Sequence, residues 1–313
     1  MSFVNARIIK KQASNDEYRK QDYPRGDSRY RVSRSDLCQI AACPHKWLAG
    51  GDEGDSTKST EWGTLIDTLL LSDGLNIAVT PETYDDGKGG QKPWNWNATV
   101  CREWREINQG RIIVKPDTLA KAELAVKRIR DDATIAAVLD KADFQVWVQA
   151  DWQTSDKMII PVKGLIDIVP CGDSLADFKT TATASIRPYG RSIYSFGYHV
   201  QAALYLDMWN AATGGKRDAF LHVIQESSEP YEIGRRQLDS DWLALGRAQY
   251  KQALERYAQC LASKAWPSYD DIENPNIMRV NGWTVTSPEP WMIMNSDCKM
   301  ADNREGILGD FRV

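Results

Sequence analysis

Histidine is scarce in this chain: its 313 residues contain three, His45, His199 and His222. An imidazole-rich metal centre is therefore not expected, and any metal would be held by oxygen, which favours magnesium or manganese. Cysteine is sparse too. The six cysteines, Cys38, Cys43, Cys101, Cys171, Cys260 and Cys298, form no C-x-x-C pair, which argues against structural zinc and a disulfide scaffold. No apolar run is long enough to cross a bilayer, and the opening MSFVNARIIKKQASNDEYRK lacks the apolar core of a secretory signal. The expectation is a cytoplasmic protein with no membrane partner. There is no G-x-S-x-G elbow, no H-E-x-x-H helix and no phosphate loop; Gly214-Gly215-Lys216 lacks both the first glycine and the following Ser/Thr of such a loop. Positive charge is not in excess, the net charge being −4, so the chain is not a polycation that coats nucleic acid.

What is present is an ordinary globular composition, 42% hydrophobic and 26% charged. Arg25, Arg29, Arg31 and Arg34 form a local basic cluster that reads equally as a solvated arm or a phosphate contact. The first thirty residues read as a loosely held polar arm. Ser33 or Ser35 can cap a helix over 36–42, with Pro44 opening a second turn. Residues 61–71 read as a buried helix, 85–97 as a Gly/Lys/Trp-rich loop, and 116–139 as one amphipathic helix with Leu119, Ala122, Val126, Ile129 and Ala133 on one stripe. The period then shortens. Residues 144–152, 158–169 and 175–178 read as an antiparallel meander, 194–210 as helix, 219–225 and 231–236 as strands, and 240–264 as a long helix. This order predicts an α/β (α+β) fold, with a central mixed β-sheet flanked by helices. The tail from Trp266 shows no steady period.

The chemistry concentrates in GLIDIVPCGDSLADFKTT, residues 164–181. If Cys171, Gly172 and Asp173 make the turn, Pro170 faces Ser174 and Asp167 faces Asp177, with Cβ atoms ~5 Å apart on one face of the hairpin. Lys179, two residues beyond Asp177, shares that face. Opposed carboxylates repel unless something neutralises them, and a divalent cation with a neighbouring lysine is the economical solution. Such a site suits phosphodiester hydrolysis: Asp167, Asp177 and the carbonyl of Phe178 as ligands, Lys179 to hold or deprotonate the attacking water. Downstream, Gln201 and Tyr205 lie four apart on one helix and share a face from which they could bind a phosphate or orient the lysine.

The run D-(ten on)-D-F-K-T-T followed by Y-H-V-Q-A-A-L-Y resembles the signature of RecB-type nucleases of the PD-(D/E)xK superfamily. The likeness is strongest to the exodeoxyribonuclease VIII (RecE-like) branch of phages and prophages. SRSDLCQIAACPHKWLAG resembles that family's N-terminal helix, EWGTLIDTLLL its G-T-x-x-H helix, and DDATIAAVLDKADFQVWVQADW the segment before the hairpin. Asp67 stands where the family usually has histidine, and Gln145 where it often has glutamate. The resemblance covers roughly residues 30–265. It implies a restriction-endonuclease-like core over 31–265, between the 1–30 arm and a 266–313 tail of unassigned role. It further implies a Mg²⁺-dependent exodeoxyribonuclease, with Mn²⁺ able to substitute, that digests linear duplex DNA from its ends in phage recombination within the bacterial cytosol. A homo-oligomeric ring and a single-strand annealing partner follow by analogy. An iron–sulfur cluster, found in some relatives, is excluded because Cys260 and Cys298 supply no late cysteine cluster. By this reading Asp67 would serve as a further metal ligand. The residues themselves offer Arg34, Arg187 and Arg191 as contacts to the DNA backbone or as solvated surface charges, and Lys92 and Trp94 as contacts to a frayed strand end or, for the tryptophan, as a packing residue. Two alternatives stay open. One is a catalytically weak DNA-binding recombination scaffold on the same fold, favoured by Gln145; the other is a structural protein whose hairpin matches by chance.

Overall fold

Along residues 146–152 every second side chain (Val146, Val148, Ala150, Trp152) is buried, the period of a strand packed on one face. The computed structural model describes residues 2–50, 58–72, 76–272, 279–280 and 283–284. In chain order these form β1 (Ser2–Lys10), α1 (Asn15–Arg19), α2 (Arg34–Ala42), α3 (Pro44–Leu48) and α4 (Lys58–Leu71). A small excursion follows, with β2 (Ile77–Val79), β3 (Thr83–Asp85), β4 (Gln91–Pro93), α5 (Thr99–Ile107) and β5 (Ile112–Val114). Then come α6 (Pro116–Asp131), α7 (Ala133–Leu139), β6 (Asp143–Gln153), β7 (Ile159–Val169), β8 (Ser174–Thr181), α8 (Ile186–Ser195) and α9 (Tyr198–Thr213). The series closes with β9 (Ala219–Glu226), β10 (Ile233–Leu238), α10 (Ser240–Ser263), β11 (Arg279–Val280) and β12 (Trp283–Thr284).

The main sheet has the order β1-β6-β7-β8-β9-β10. All its neighbours run antiparallel except β8 and β9, which are parallel because α8 and α9 carry the chain over between them. One face packs on α2, α9 and α10 through a cluster that includes Val146, Ile166, Leu204 and Tyr257. The other packs on α4, α6 and α7 through Ile66, Ile129, Ile168 and Phe178. The fold is thus a mixed central sheet flanked by helices, as the element order predicts. Residues 1–267 form one compact unit and 268–313 a second, in which β11 and β12 pair antiparallel.

Three expectations change. The polar arm is not loose: β1 is an edge strand paired along β6, and Ser14 caps α1 through a capping box with Glu17. The helix expected over 116–139 is two, because Asp132 turns its carboxylate onto the N–H groups of Thr134 and Ile135 and starts α7 afresh, taking Ala133 off the stripe. Residues 85–97 are not all loop, since β3 and β4 pair with Thr83 opposite Pro93. Elsewhere, Ser33 is the residue that caps α2, through a reciprocal box with Asp36.

Two features hold α9 where the site needs it. Asp207 accepts from Arg247 Nε at 3.0 Å and from Tyr250 Oη at 2.6 Å, tying α9 to α10. At the same crossing, a Cβ on Gly246 would collide with the backbone carbonyl of His199. Gly246→Ala is expected to cost about 2–3 kcal/mol of unfolding free energy by forcing the helices apart. Gly190→Ala, on α8 with nothing within 4 Å of the new methyl, should be neutral or stabilising by up to ~1 kcal/mol. Urea denaturation of the two variants checks the contrast, and equal effects would contradict it.

Candidate active site

The site begins where β7 and β8 part. Their ladder contains one pair, Ile168 opposite Ala176, so the next step outward sets Asp167 against Asp177, the register expected from the turn. Beyond that step the strands diverge, and the side chain of Asp167 enters the gap: Phe178 N donates to Asp167 Oδ2 at 3.3 Å. In a strand the N–H and C=O of one residue leave by the same edge, so the Phe178 carbonyl opens toward the same gap. On the free part of β7, Val32 takes the vacated edge by a parallel bridge to Val162. Ile166 belongs to one apolar cluster and Ile168 to the other, although alternation would give them one face. The irregularity lies at Asp167, beside Gln145, whose φ of 48° marks a break in β6.

Asp177 is 1% exposed. Its Oδ1 accepts from Gln201 Nε2 at 2.7 Å, and its Oδ2 touches the Lys179 ammonium without a well-directed hydrogen bond. Gln201 is steadied in turn by Arg34, which donates through Nη2 to Gln201 Oε1 at 3.4 Å and through Nη1 to the Phe196 carbonyl at 2.9 Å. The Lys179 ammonium lies 4.9 Å from the centre of the Tyr198 ring. Tyr205, one turn beyond Gln201, packs its ring where a side chain on Gly164 would stand, 2.9 Å from the missing Cβ. Gly164 is thus what lets α9 approach β7 beside Asp167. Gly63 does the same for α4: its missing Cβ would lie 3.0 Å from Thr180 Oγ1. One turn further, Asp67 comes within electrostatic reach of Lys179 and Asp177.

The charges sort themselves. Burial works against ionised Asp177, but the charge of Lys179, with help from the buried His222, holds its carboxyl below the usual range. Burial and the charge of Asp177 push Asp167 well above that range, against the pull of Lys179, so Asp167 keeps the proton of the pair. Burial also raises Asp67 to about 7, opposed by Lys179 and aided by Asp177. For Lys179 burial disfavours the charge, yet Asp177 and Asp167 outweigh it and keep the ammonium protonated. Among the described residues no three His, Cys, Asp or Glu side chains form a ready-made metal cage. Asp167, Asp177 and the Phe178 carbonyl could hold a hard cation, and Asp67 stands near them as a further carboxyl group.

The predicted Asp167, Asp177, Lys179, Gln201 and Tyr205 therefore converge, and Arg34 joins them. The basic cluster around Arg34 disperses: Arg29 pairs with Asp27 at 2.8 Å and Arg31 lies 3.9 Å from Asp151. Gln145 reaches Asp167 Oδ1 at 3.4 Å. Arg187 and Arg191 are exposed on α8. Lys92 is engaged by Asp86 at 3.3 Å, and Trp94 packs edge-on against Trp96 and Trp104, in the β3–β4 excursion.

Sequence reasoning missed Tyr198, His222, Lys163 and Tyr18. Buried Lys163 donates to the Tyr18 carbonyl at 2.6 Å, and Tyr18 Oη lies 3.4 Å from the Lys163 carbonyl, next to Gly164 and the ring of Tyr205. Nothing in the arm's composition signals this. His222 did carry a signal, a lone polar residue in the apolar run AFLHVI, and it lies beside Asp177 in the β8–β9 register.

His222 Nδ1 meets Tyr189 Oη at 3.2 Å, and Nε2 has no partner among the described residues. Burial lowers the imidazole from 6.5 to about 4, against the pull of Asp177. The unfolded chain therefore binds this proton more readily, and the fold loses stability as pH falls from 6.5 toward 4, by roughly 3 kcal/mol when complete. His222→Gln should remove that part of the acid destabilisation. Urea curves at pH 7 and pH 4.5 test this, and an unchanged pH difference in the variant would refute it.

With this geometry in view, likeness to known proteins is informative. Residues 33–279 match the family described as a PDDEXK-like domain of unknown function (DUF3799). The crystal structure of a protein from Eubacterium rectale, named "Putative exonuclease", superposes over 92% of this chain and 99% of its own with a TM-score of 0.57 at 15% identity, a likeness of fold. The structure of SSO0001 overlaps 44% of this chain and 64% of its own at 15% identity with a TM-score of 0.28, too little to carry an argument. No curated protein matches the sequence. With the family match spanning most of the chain and a buried D…D-x-K hairpin at its centre, the chain belongs to the PDDEXK-like family DUF3799 of the PD-(D/E)xK nuclease superfamily.

Proposed function

We propose that this chain is a metal-dependent exodeoxyribonuclease that hydrolyses linear duplex DNA from its ends. The observation that carries the reading is the Asp167–Asp177–Lys179 set, buried at Asp177 and half-buried at Asp167 and Lys179, where two carboxylates face one gap with a backbone carbonyl between them. The donors fit a hard divalent cation such as Mg²⁺ or Mn²⁺. All are oxygens, and Asp177 Oδ2 is a buried acceptor without a directed hydrogen bond. When bound, such a cation stabilises negative charge on the phosphoryl group.

The protein's own residues supply the rest. Gln201 fixes the rotamer of Asp177, and Arg34 fixes Gln201. Arg34 has no carboxylate within ion-pair distance among the described residues, so its charge is available to a phosphate. Lys179, charged in the resting site, orients the attacking water and screens the transition state. Tyr205 offers a hydroxyl to the same phosphate. Asp67 adds a carboxylate on the α4 side. End specificity, the RecE-like branch, a ring assembly and an annealing partner extend this reading by family resemblance. One observation favours the scaffold alternative: Gln145 occupies Asp167 with an amide, a weaker metal ligand than the glutamate it replaces.

End-labelled linear duplex incubated with Mg²⁺ or Mn²⁺ should lose label, while a covalently closed circle should not. EDTA should abolish the reaction, and Lys179→Ala or Asp177→Asn should lower the rate at least ~100-fold in protein that still unfolds cooperatively. Circles cut as fast as linear DNA would replace the exonuclease with an endonuclease; no cutting by folded wild type would favour the scaffold.

A second expectation comes from the raised carboxyls. Asp67 and Asp167 stabilise the metal-free fold in their protonated forms, so their contribution is full below the ordinary carboxylate range and, for Asp67, lost as pH rises through about 7. Since ligation requires the ionised forms, the rise in melting temperature on adding Mg²⁺ should be small at pH 5.5 and grow toward pH 8. A shift that is the same at both, or absent, would count against a metal at these residues.

A further inference from the structure

The corner between α8 and α9 carries two aromatic rings that the proposed chemistry does not use. Phe196 and Tyr194 are each 59% exposed. Single exposed rings are common on protein surfaces and need no function. These differ in being fixed, in standing at the site, and in the charge around them.

The Phe196 carbonyl accepts from Arg34 at 2.9 Å, the guanidinium that also holds Gln201. Gly197, which follows, has φ 65° and would bring a Cβ to 2.9 Å from Cys38 Sγ, so the turn packs directly on α2. The Phe196 ring lies 5.6 Å from that of Tyr198, whose ring in turn lies 4.9 Å from the Lys179 ammonium. Those spacings put Phe196 within about three base steps of Lys179, at ~3.4 Å a step. Tyr194 is pre-stacked on buried His199, ring centres 5.6 Å apart and 10° from parallel. Helix α8 contains no acidic residue, and its exposed Arg187 and Arg191 have no carboxylate within ion-pair distance among the described residues. Rigid π-faces beside unpaired guanidinium groups bind single-stranded nucleic acid, with the bases stacked and the backbone neutralised.

We propose that the α8–α9 corner is a stacking platform for unpaired bases of the DNA strand whose phosphate enters the site, with Phe196 and Tyr194 as the rings and Arg187 and Arg191 against the backbone. The proposal rests on the nuclease reading above and deepens it: the strand engaged at Lys179 is single-stranded there, so the duplex end is opened before it is cut.

The test uses duplexes carrying 2-aminopurine at the first, second or third position from the end, with Ca²⁺ in place of Mg²⁺ to hold back hydrolysis. Wild type should change the fluorescence of at least one position. Phe196→Ala should abolish that change and weaken binding about tenfold, Phe196→Leu should do the same, and Phe196→Trp should restore both, all with unaltered melting temperature. Tyr194→Ala should weaken binding less. A signal from wild type that persists in Phe196→Ala overturns the platform while leaving the nuclease reading intact. Wild type that neither binds nor, with Mg²⁺, cuts DNA overturns both. A fall in the mass of an assembly in Phe196→Ala, with fluorescence unchanged, assigns the corner to contact between copies of the chain and overturns the proposal.

Discussion

Two carboxylates held face to face on neighbouring strands are the constraint around which this structure is arranged. Asp167 and Asp177 cannot both be ionised in a buried gap without a compensating charge. In this chain the conflict is eased in two ways: Asp167 keeps a proton, and Lys179 lays its ammonium on Asp177. The gap itself exists because β7 and β8 pair at one position and then part, leaving Asp167 to bond the Phe178 amide that a ladder partner would otherwise take. A hairpin that stayed zipped would close the space in which a cation and a phosphate must fit.

Helix α9 transmits that constraint outward. It supplies Gln201 to Asp177 and brings Tyr205 onto Gly164, and both depend on its depth against the sheet. That depth is set by close backbone approaches at Gly164 and Gly246 and by the Asp207–Arg247–Tyr250 group. The N-terminal segment closes the other side. Lys163, on the strand that carries Asp167, is spent on the carbonyls of Tyr18 and Lys20, and this holds α1 over the sheet near Tyr205. A buried lysine is costly, and burial lowers its pKa to about 8. Its position is consistent with a segment that must be fixed in place rather than left free.

The locally determined elements were legible from residues alone: the strand over 144–152, a serine cap at the start of α2 that the structure assigns to Ser33, and a turn that dictated the Asp167–Asp177 register. The same locality explains why Gln201 and Tyr205 could be paired in advance, since residues four apart on a helix share a face. Legibility failed where the decision was not local. Residues 116–139 keep a helical pattern through Asp132, and only the competing side-chain cap breaks them in two. The polar arm gave no hint of β1, because an edge strand with mostly exposed side chains needs no apolar alternation to pair.

By itself, then, the sequence determined the strand–turn–strand that opposes two aspartates and sets a lysine beside them, because side-chain alternation and turn length act over a dozen residues. Which distant groups meet that hairpin was decided by the tertiary structure. His222 arrives through a parallel crossover, Asp67 through the Gly63–Thr180 contact, Arg34 through a helix cap more than 160 positions from Gln201, and Tyr18 through an edge strand. No local pattern encodes these meetings, since each depends on how closely two backbones can approach once the core has packed.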